Sequence, residues 1–300
     1  MEDIKDRIIR ATGEVAELRF VLVDLTASAN AIADFHGAQA FARILLGETM
    51  AASLLLASGL KTNGTVQVKF QFSGDFSYAT ADATPMGLIR AMVPQEDIRK
   101  LGEFEPLLSP QLMTVRKLND RGIPLSEGIV EMPSENIGPC AAYYLMQSEQ
   151  TRSAVGIKAL ADPRGTELLF CGGFLVEALP KADEKTLAIM EQVVRSLPPL
   201  DQYRDGEERR LDLKRLLADL AGPFSHRVHR EIPVQPYCPC SEEGVLKAMQ
   251  GLGRDELEEI VMRSMDTELH CDYCRKRYVA TADQVRALLE RLHRTGSEET

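Results

Sequence analysis

The sequence predicts an α+β fold in three parts: a large N-terminal domain of sheet and helices, a helical linker, and a small C-terminal domain built around four cysteines. Three observations predict this division. Strand-like runs follow one another through the first 180 residues, charge and proline dominate after Pro180, and two cysteine pairs stand in the segment that begins at Tyr237. Because the strand-like runs do not alternate regularly with helical ones, antiparallel sheet with helices grouped beside it is favoured over a βαβ fold.

The N-terminal domain, residues 1–180, is predicted from its strand and helix patterns. Residues 17–24 ("ELRFVLVD") form a short apolar run typical of a buried strand, and residues 36–59 have the composition of a helix that Gly59 ends. Residues 65–83 alternate and predict a half-buried strand, a turn and a second strand. In the first of these strands, one face has Val66, Val68, Phe70 and Phe72, and the other has Gln67, Lys69 and Gln71. The further strand-like runs are "MGLIRAMV", "LMTVRKL", "GIVEM", "VGIKALA" and "LLFCGGFLVEAL".

The helical linker, residues 181–236, is dense in charge and interrupted by prolines, yet it has two sets of apolar residues at helical spacing. The sets are Leu187, Met190, Val193 and Val194, followed by Leu213, Leu216, Leu217 and Leu220. The pattern fits a solvated linker with one face on the main domain. It also fits a conditionally stable segment whose apolar face can be released. Composition alone does not decide between the two.

Composition limits the partners and the compartment of the protein. The chain has a net charge of −10, which disfavours general binding to nucleic acid or to anionic membranes, since both need clustered positive charge. The N-terminus has no apolar signal core, and the apolar run Thr49–Leu60 is shorter than the roughly 20 residues that cross a bilayer. We therefore expect a cytoplasmic protein without membrane association. In that compartment, clustered cysteines are metal ligands or redox thiols more often than structural disulfides.

The C-terminal domain, residues 237–300, has the strongest chemical signal in the chain. Cys238 and Cys240 form a C-x-C pair, Cys271 and Cys274 form a C-x-x-C pair, and thirty residues separate the two pairs. Four thiolates at such short spacings can surround one Zn²⁺ ion tetrahedrally. The sequence therefore predicts a four-cysteine zinc site with one ion per chain.

Other histidines and cysteines are not included in this site. His270 directly precedes Cys271 and is interpreted as a surface residue or one that supports the ligands from outside. His226 and His229 form an H-x-x-H pair that is assigned to the linker surface. The remaining cysteines, Cys140 and Cys171, stand alone among apolar neighbours and are predicted to be buried small hydrophobic residues.

Zinc binding would couple the fold of the C-terminal domain to the redox state of its thiols. A segment of about sixty residues buries little apolar surface, whereas metal binding contributes on the order of 10–16 kcal/mol in small zinc domains. Oxidation of the thiolates to disulfides would remove the ligands and, with them, the fold. Four cysteines permit three disulfide pairings, and the residues alone do not select one. Nor do they decide between a redox switch and a purely structural site.

The cysteine motifs and several segments upstream resemble the 33 kDa chaperonin family, the redox-regulated bacterial heat-shock holdases. At the C-terminus the resemblance rests on "CPCSEEGVLKAMQGLGRDELEEI" and "CDYCRKRY". Upstream it rests on "DFHGAQAFARILLGETMAASLLL", "AYYLMQSEQTRSAV" and "GGFLVEALP", so that it covers nearly the whole chain.

The resemblance implies an ATP-independent chaperone that binds unfolding proteins under oxidative stress. In the family, the reduced zinc-bound form is inactive; oxidation forms disulfides within each cysteine pair, releases zinc, unfolds the linker and yields an active, often dimeric form. Carried over to this chain, Cys238, Cys240, Cys271 and Cys274 are the zinc ligands and redox thiols. Residues 1–180 become the substrate-binding domain and residues 181–236 the metastable linker.

Other classes of function fit parts of the sequence. The chain has neither a Walker-type phosphate loop nor a G-x-S-x-G elbow, so neither an enzyme nor a nucleotide partner is predicted. A thiol oxidoreductase would use the C-x-x-C pair, but here that pair stands in a small terminal segment beside a second cysteine pair. The alternative that remains is a zinc-ribbon protein with a purely structural site and a nucleic-acid-binding role, for which "CRKRY" offers three clustered cations.

Overall fold

The structure, a computed structural model, describes residues 6–61, 63–100, 108–205, 210–263 and 266–296. The chain divides into two compact units, Met1–Tyr237 and Cys238–Thr300. The further division of the first unit into a substrate-binding domain and a linker at residue 180 stays a prediction.

The first unit combines strands and helices throughout its length. Its strands are β1 (Arg7–Gly13), β2 (Leu18–Asp24), β3 (Thr65–Gly74), β4 (Tyr78–Ala83), β5 (Leu88–Met92), β6 (Leu108–Leu118), β7 (Pro124–Glu131), β8 (Ser153–Ala161), β9 (Leu168–Ala178), β10 (Arg204–Asp205), β11 (Arg210–Leu211), β12 (His226–Pro233) and β13 (Gln235–Pro236). Its helices are α1 (Thr26–His36), α2 (Ala40–Ala57), α3 (Gln95–Lys100), α4 (Ile137–Glu149), α5 (Glu184–Ser196) and α6 (Leu213–Ala221), with a 3₁₀ turn at Leu200–Tyr203.

Two sheets form the framework of the first unit. The five-stranded sheet has the order β12-β1-β2-β9-β8, and the six-stranded sheet has the order β13-β5-β4-β3-β6-β7. Neighbouring strands are antiparallel, apart from the short parallel pair β13–β5. The predicted α+β class, with antiparallel sheet and helices beside it, is therefore confirmed.

Helix α2 lies at the centre of the core and contacts strands of both sheets. Within the described residues it is the one helix long and apolar enough to cross a membrane, but 78% of that stretch is buried inside the structure. Its residues from Leu45 to Ala57 pack with α1 and with the inner faces of the two sheets. The hydrophobicity of α2 is thus explained by its place in the core.

A second apolar cluster covers the other face of the five-stranded sheet. The sheet contributes Ile9, Ala11, Leu18, Phe20, Leu22, Phe170, Phe174 and Val176. The segment after Pro180 contributes Leu187, Met190, Tyr203, Leu211, Leu213, Leu216, Leu217, Leu220, Ala221 and Phe224. Of the apolar residues that the sequence placed at helical spacing in this segment, all but Val193 belong to this cluster, with Val194 only partly buried.

Strand β3 follows the predicted alternation for most of its length. Val66, Val68 and Phe70 are fully buried, whereas Phe72 is only partly buried. A register shift in the β3–β6 pairing falls between Phe70 and Phe72 and interrupts the alternation there.

Elements β1, α1 and β12 were not predicted from the sequence. The charges in β1 and β12 hid their strand pattern, since "RIIRATG" and "HRVHREIP" lack a clean apolar alternation. Helix α1 has no side-chain cap of its own; Asp6 instead accepts hydrogen bonds from the backbone N–H groups of Ala27 (3.0 Å) and Ser28 (2.5 Å) at its first turn. A cap supplied from twenty residues upstream leaves no local signal.

Acidic side chains near this cap lie within the core. Asp24 is 1% exposed and accepts a hydrogen bond from the hydroxyl of Thr26 at 2.7 Å. Burial, reinforced by the nearby carboxylate of Asp6, raises the pKa of Asp24 to about 7. Burial likewise raises the pKa of Glu48 on α2 to about 7, although the backbone N–H of Ala159 donates to it at 3.1 Å. The first unit therefore binds protons that the unfolded chain would release.

The second unit has a small core of its own. Its elements are α7 (Glu242–Ala248), α8 (Arg254–Met262), β14 (Thr267–His270), β15 (Arg277–Ala280) and α9 (Ala282–Gly296), with a 3₁₀ turn at Met249–Leu252. The three helices coincide with the helix-like runs "EEGVLKAMQ", "RDELEEIVMRSM" and "ADQVRALLERLHR" of the sequence. The buried apolar cluster of the unit consists of Met249, Leu257, Ala280, Val285, Leu288 and Leu289.

Replacing Asp24 with Asn is expected to stabilise the protein, and the gain is expected to grow with pH. The folded-state pKa lies above the ordinary value of 3.8, so the wild type loses stability as pH rises from about 4 to about 7, while the uncharged amide does not. The difference in unfolding free energy between variant and wild type should increase by on the order of 2 kcal/mol from pH 5 to pH 8, measured by urea denaturation. Asp120→Asn, at an exposed position, is the control; a gain for Asp24→Asn that is independent of pH would contradict the interpretation.

Candidate metal centre

The C-x-C pair lies just before the first helix of the second unit. Cys238 and Cys240 flank Pro239, and Ser241 follows as the N-cap of α7, where its hydroxyl accepts a hydrogen bond from the backbone N–H of Gly244 at 3.1 Å. Proline stiffens the backbone between the two thiols, and the cap fixes where the helix begins. These local constraints hold both sulfur atoms in a short segment of defined conformation.

The C-x-x-C pair lies in the turn that joins β14 to β15. The backbone N–H of Cys271 donates to the carbonyl of Lys276 at 3.0 Å, and the N–H of Arg275 donates to the carbonyl of Cys271 at 2.8 Å. Arg275 has a φ of 60°, the left-handed conformation that such a tight turn requires. The turn brings Cys271 and Cys274 to the same side of the hairpin.

The four sulfur atoms form one cluster. The Sγ atoms of Cys238 and Cys271 are 3.7 Å apart, those of Cys240 and Cys274 are 3.4 Å apart, and all four lie within 4.8 Å of one another. All four cysteines are free thiols and only partly buried. Among the described residues, this is the group of Cys, His, Asp and Glu side chains that is arranged to hold a metal ion.

The geometry fits a tetrahedral zinc ion. A Zn–S bond of about 2.3 Å places the sulfur atoms of a regular tetrahedron roughly 3.8 Å apart, close to the observed separations. Four thiolates and no oxygen ligand form the donor set of a structural zinc site. The four predicted ligand residues are thus brought together, and they could hold one zinc ion.

The thiols differ in how easily they ionise. Burial raises the pKa of Cys274 to about 12 and also raises that of Cys238. Burial acts in the same direction on Cys240, but hydrogen bonds from Tyr278 and from the other thiols outweigh it and lower its pKa to about 7. Four neighbouring thiolates therefore need a cation at their centre, because like charges at this distance oppose one another's ionisation.

The cations beside the turn have partners of their own. Arg277 forms an ion pair with Glu268 at 2.6 Å, Arg275 lies 3.9 Å from Asp272, and the Lys276 ammonium lies 5.2 Å from the ring centre of Tyr278. The cluster "CRKRY" is therefore partly neutralised within the hairpin.

Among the described residues, the group that could hold a metal ion includes neither a histidine nor a further cysteine. The Nε2 atom of His270 is 3.4 Å from Glu268 on β14. His226 and His229 belong to strand β12 of the first unit, where His229 Nε2 is 2.6 Å from the hydroxyl of Thr12. Cys140 and Cys171 are fully buried in the core of the first unit.

Tyr278 is a residue of the site that the sequence analysis missed. Its hydroxyl donates a hydrogen bond to Cys240 Sγ at 3.0 Å, and its side chain is buried. Position 278 follows the C-x-x-C pair by four residues, and the cross-strand pairing with Leu269 fixes its place on β15. Only the register of the hairpin turns this tyrosine toward a cysteine 38 residues away.

Comparison with known proteins gives a consistent match along the chain. Residues 6–281 match the family model described as Hsp33 protein. The 33 kDa chaperonin of Pelobacter propionicus is 32% identical over 296 residues, which cover 95% of this chain and 94% of that protein. The 33 kDa chaperonin of Bacillus subtilis is 28% identical and is covered over its full length, with 96% of this chain.

A solved structure has the same fold. The 33 kDa chaperonin, an Hsp33 homologue, from Thermotoga maritima superposes with a TM-score of 0.77, covering 95% of this chain and 98% of that one. At 20% sequence identity this likeness concerns the fold alone.

Replacing Tyr278 with Phe is expected to weaken zinc binding by about 10- to 100-fold, the usual effect of removing a hydrogen bond to a metal ligand. The measurement is competition for zinc between the reduced full-length protein and a coloured chelator. Tyr237→Phe is the matched control, since the hydroxyl of Tyr237 forms no hydrogen bond to the described residues. Equal affinities for wild type and both variants would show that the Tyr278 hydroxyl does not support the site.

Proposed function

The chain belongs to the Hsp33 protein family, and we propose that it is a redox-regulated, ATP-independent holdase that binds unfolding proteins under oxidative stress. The reduced form with one zinc ion is inactive. Oxidation of the four cysteines to disulfides activates it. The names of its relatives support the chaperone function, and the cluster of four cysteines supports the regulation.

The single observation that carries this proposal is the cluster of four free thiols in a unit with a small core. Six buried apolar residues form that core, which is little for a chain segment of about sixty residues. When bound, zinc supplies the bonds that hold the C-x-C and C-x-x-C segments together. The fold of the second unit then depends on the thiols remaining reduced.

Oxidation removes the four sulfur ligands from this arrangement. With hydrogen peroxide as the oxidant, the four thiolates that would hold zinc lose four electrons to two peroxide molecules, which take up four protons from solvent, so that two disulfides and four water molecules form. We propose, from the family resemblance, that the disulfides join Cys238 to Cys240 and Cys271 to Cys274. The sulfur contacts across the pairs do not argue against this pairing, because every pair of ligands in a tetrahedron is equally close.

Release of the segment after Pro180 would expose apolar surface for a client. Helices α5 and α6 cover Phe20, Phe170 and Phe174 on the five-stranded sheet. Polar contacts around this packing include the bond from the hydroxyl of Tyr203 to Asp219 (2.7 Å) within the segment and the exposed pair Lys158–Asp201 (3.3 Å). We propose that residues 181–236 detach when the second unit unfolds. The apolar face of the sheet and the apolar face of the detached segment then both become available to unfolded chains.

The proposal extends to partners and compartment. Unfolded or aggregation-prone proteins are the expected clients, and the oxidised form is expected to be a homodimer. A cytoplasmic location fits the chemistry, because a reducing compartment keeps the four thiols free until oxidative stress occurs.

Oxidation of the reduced, zinc-loaded protein by peroxide under mild heating is expected to release one zinc ion as four thiols disappear. Suppression of client aggregation should rise in step, because loss of the ligands unfolds the second unit. Zinc is followed with a coloured chelator, thiols by titration, disulfide pairing by mass spectrometry and holdase activity by light scattering of a denatured client. Reductant with zinc should reverse all of them; zinc release without holdase activity would mean that the site is only structural.

Replacing Leu216 with Ala is expected to lower the oxidant exposure needed for activation. Leu216 is fully buried in α6, and losing such a side chain costs about 2–5 kcal/mol, here in the packing of α6 on the sheet. The time course of aggregation suppression at fixed peroxide is the measurement, with limited proteolysis of the reduced protein to locate any loosening. Leu125→Ala, at a side chain that is 55% exposed, is the control. Activation no faster than in the control would argue against release of this segment.

A further inference from the structure

Three arginines on one face of the five-stranded sheet form a cluster that we call the arginine triad: Arg10 on β1, Arg19 on β2 and Arg230 on β12. Arg10 pairs directly with Arg230 on one side and with Val21 on the other, so that Arg19 is its diagonal neighbour on β2. Directly opposite residues of antiparallel strands have their Cβ atoms roughly 5 Å apart. The register therefore places like charges side by side.

The positive charges of the triad lack sufficient partners among the described residues. Arg19 is paired with Glu177. Arg10 donates from Nη2 to the carbonyl of Pro85 at 2.7 Å, but its Nε atom is buried and has no hydrogen-bond partner. The guanidinium group of Arg230 forms no hydrogen bond or ion pair to the described residues, and it is exposed. Burial, and then the charges of Arg19 and Arg230, lower the pKa of Arg10.

Neighbouring arginines on the same strands are neutralised, in contrast to Arg10 and Arg230. Arg7 on β1 is paired with Glu231 at 3.4 Å, and Arg227 on β12 is paired with Glu14 at 3.2 Å. Glu231 lies opposite Ile9 and hence on the other face of the sheet from Arg230. In a chain with a net charge of −10, acidic groups are plentiful, yet within the described part of the chain Arg10 and Arg230 have no acidic partner.

The backbone is irregular at this position. The pairing of β1 with β12 shifts by one residue between Arg10 and Ala11, so that His229 has no direct partner in the ladder. Its ring nitrogen Nε2 is instead 2.6 Å from the hydroxyl of Thr12. Bulges of this kind are frequent beside binding sites, where they redirect side chains, and at this one the imidazole of His229 contacts Thr12, two residues after Arg10 on β1.

We propose that Arg10 and Arg230 bind a phosphate group between them, with Arg19 adding positive charge at the diagonal position. The planar fork of a guanidinium group matches two oxygens of a phosphate. An anion bridging β1 and β12 neutralises the opposed charges and offers an acceptor to the unpaired Nε of Arg10. Inorganic phosphate and phosphate monoesters share this chemistry.

Isothermal titration calorimetry of the reduced full-length protein with inorganic phosphate, at ionic strength matched with potassium chloride, tests the site. We expect saturable binding that weakens at least tenfold in Arg10→Gln and in Arg230→Gln. Arg7→Gln and Arg227→Gln, which remove arginines that already have carboxylate partners, should bind like the wild type. A parallel titration with AMP distinguishes the sources: equal affinity extends the site to phosphate esters, and weaker binding assigns it to free phosphate.

Thermal unfolding provides a second test, because the difference in stability between the wild type and Arg230→Gln is expected to change sign when phosphate is added. Without phosphate, Arg230→Gln should be at least as stable as the wild type, because it removes a like-charge contact. Added phosphate should raise the melting temperature of the wild type more than that of the variant. General salting effects of phosphate raise all variants alike and so cancel in the comparison. Absence of saturable binding, or equal binding in all four variants, would overturn the proposal.

A regulatory consequence rests on the proposed function. Because β12 lies in residues 181–236, phosphate bound across β1 and β12 would favour the docked form of that segment. Activation by peroxide should then be slower with phosphate in the wild type, but not in Arg230→Gln. If calorimetry shows phosphate binding but phosphate leaves the rate of activation unchanged, the binding proposal stands and this regulation is refuted. If peroxide does not activate the holdase in any variant, the proposed function fails, whatever the result for the phosphate site.

Discussion

Strands β2 and β9 of the five-stranded sheet are apolar on both faces, and the rest of the first unit follows from the need to cover them. Strands β2 and β9 are nearly continuous apolar runs, "LRFVLVD" and "LLFCGGFLVEA", as expected for strands buried on both sides. Helices α1 and α2 and the six-stranded sheet fill one side. The other side is left to chain that comes after Pro180. A segment rich in charge and proline thereby becomes part of the core, and its Leu213–Ala221 helix is strongly amphipathic because only one of its faces can be buried.

The same constraint bears on the proposed release of this covering layer. Its contacts with the sheet are mainly apolar and thus non-directional. Its strand pairings with the two sheets are those of β12, at the edge of the five-stranded sheet, and of β13, at the edge of the six-stranded sheet. An edge strand is bound on one side only. Helices α5 and α6 could therefore leave the sheet without breaking a central ladder, whereas loss of α2 would dismantle the core.

The sequence predicted the features that depend on residues close together in the chain and missed those that depend on contacts between distant segments. The thiol pairs were recognisable because each lies within four residues, and β3 because alternation is a local property. Helix α1 was not predictable, because its cap is Asp6, which lies in a different part of the chain. Strand β12 was hidden because an exposed edge strand needs no apolar alternation. Tyr278 was missed for the same reason as α1: its contact with Cys240 depends on the register of a hairpin. Composition likewise could not show that residues 181–236 pack on the sheet, because the partner surface was not in that segment.

Three places in the described part of the chain gather like charges, or groups that would carry them, without a sufficient counter-charge. Four thiols lie within 4.8 Å of one another, Asp24 is buried near Asp6, and Arg10 stands opposite Arg230. A fold selected only for stability would pair or replace such groups, since each arrangement costs free energy when unneutralised. In each case the missing charge can come from solution, as a metal ion, a proton or an anion. We propose that the stability of the parts of the chain that these groups support varies with these solution conditions, as a stress-responsive switch would require.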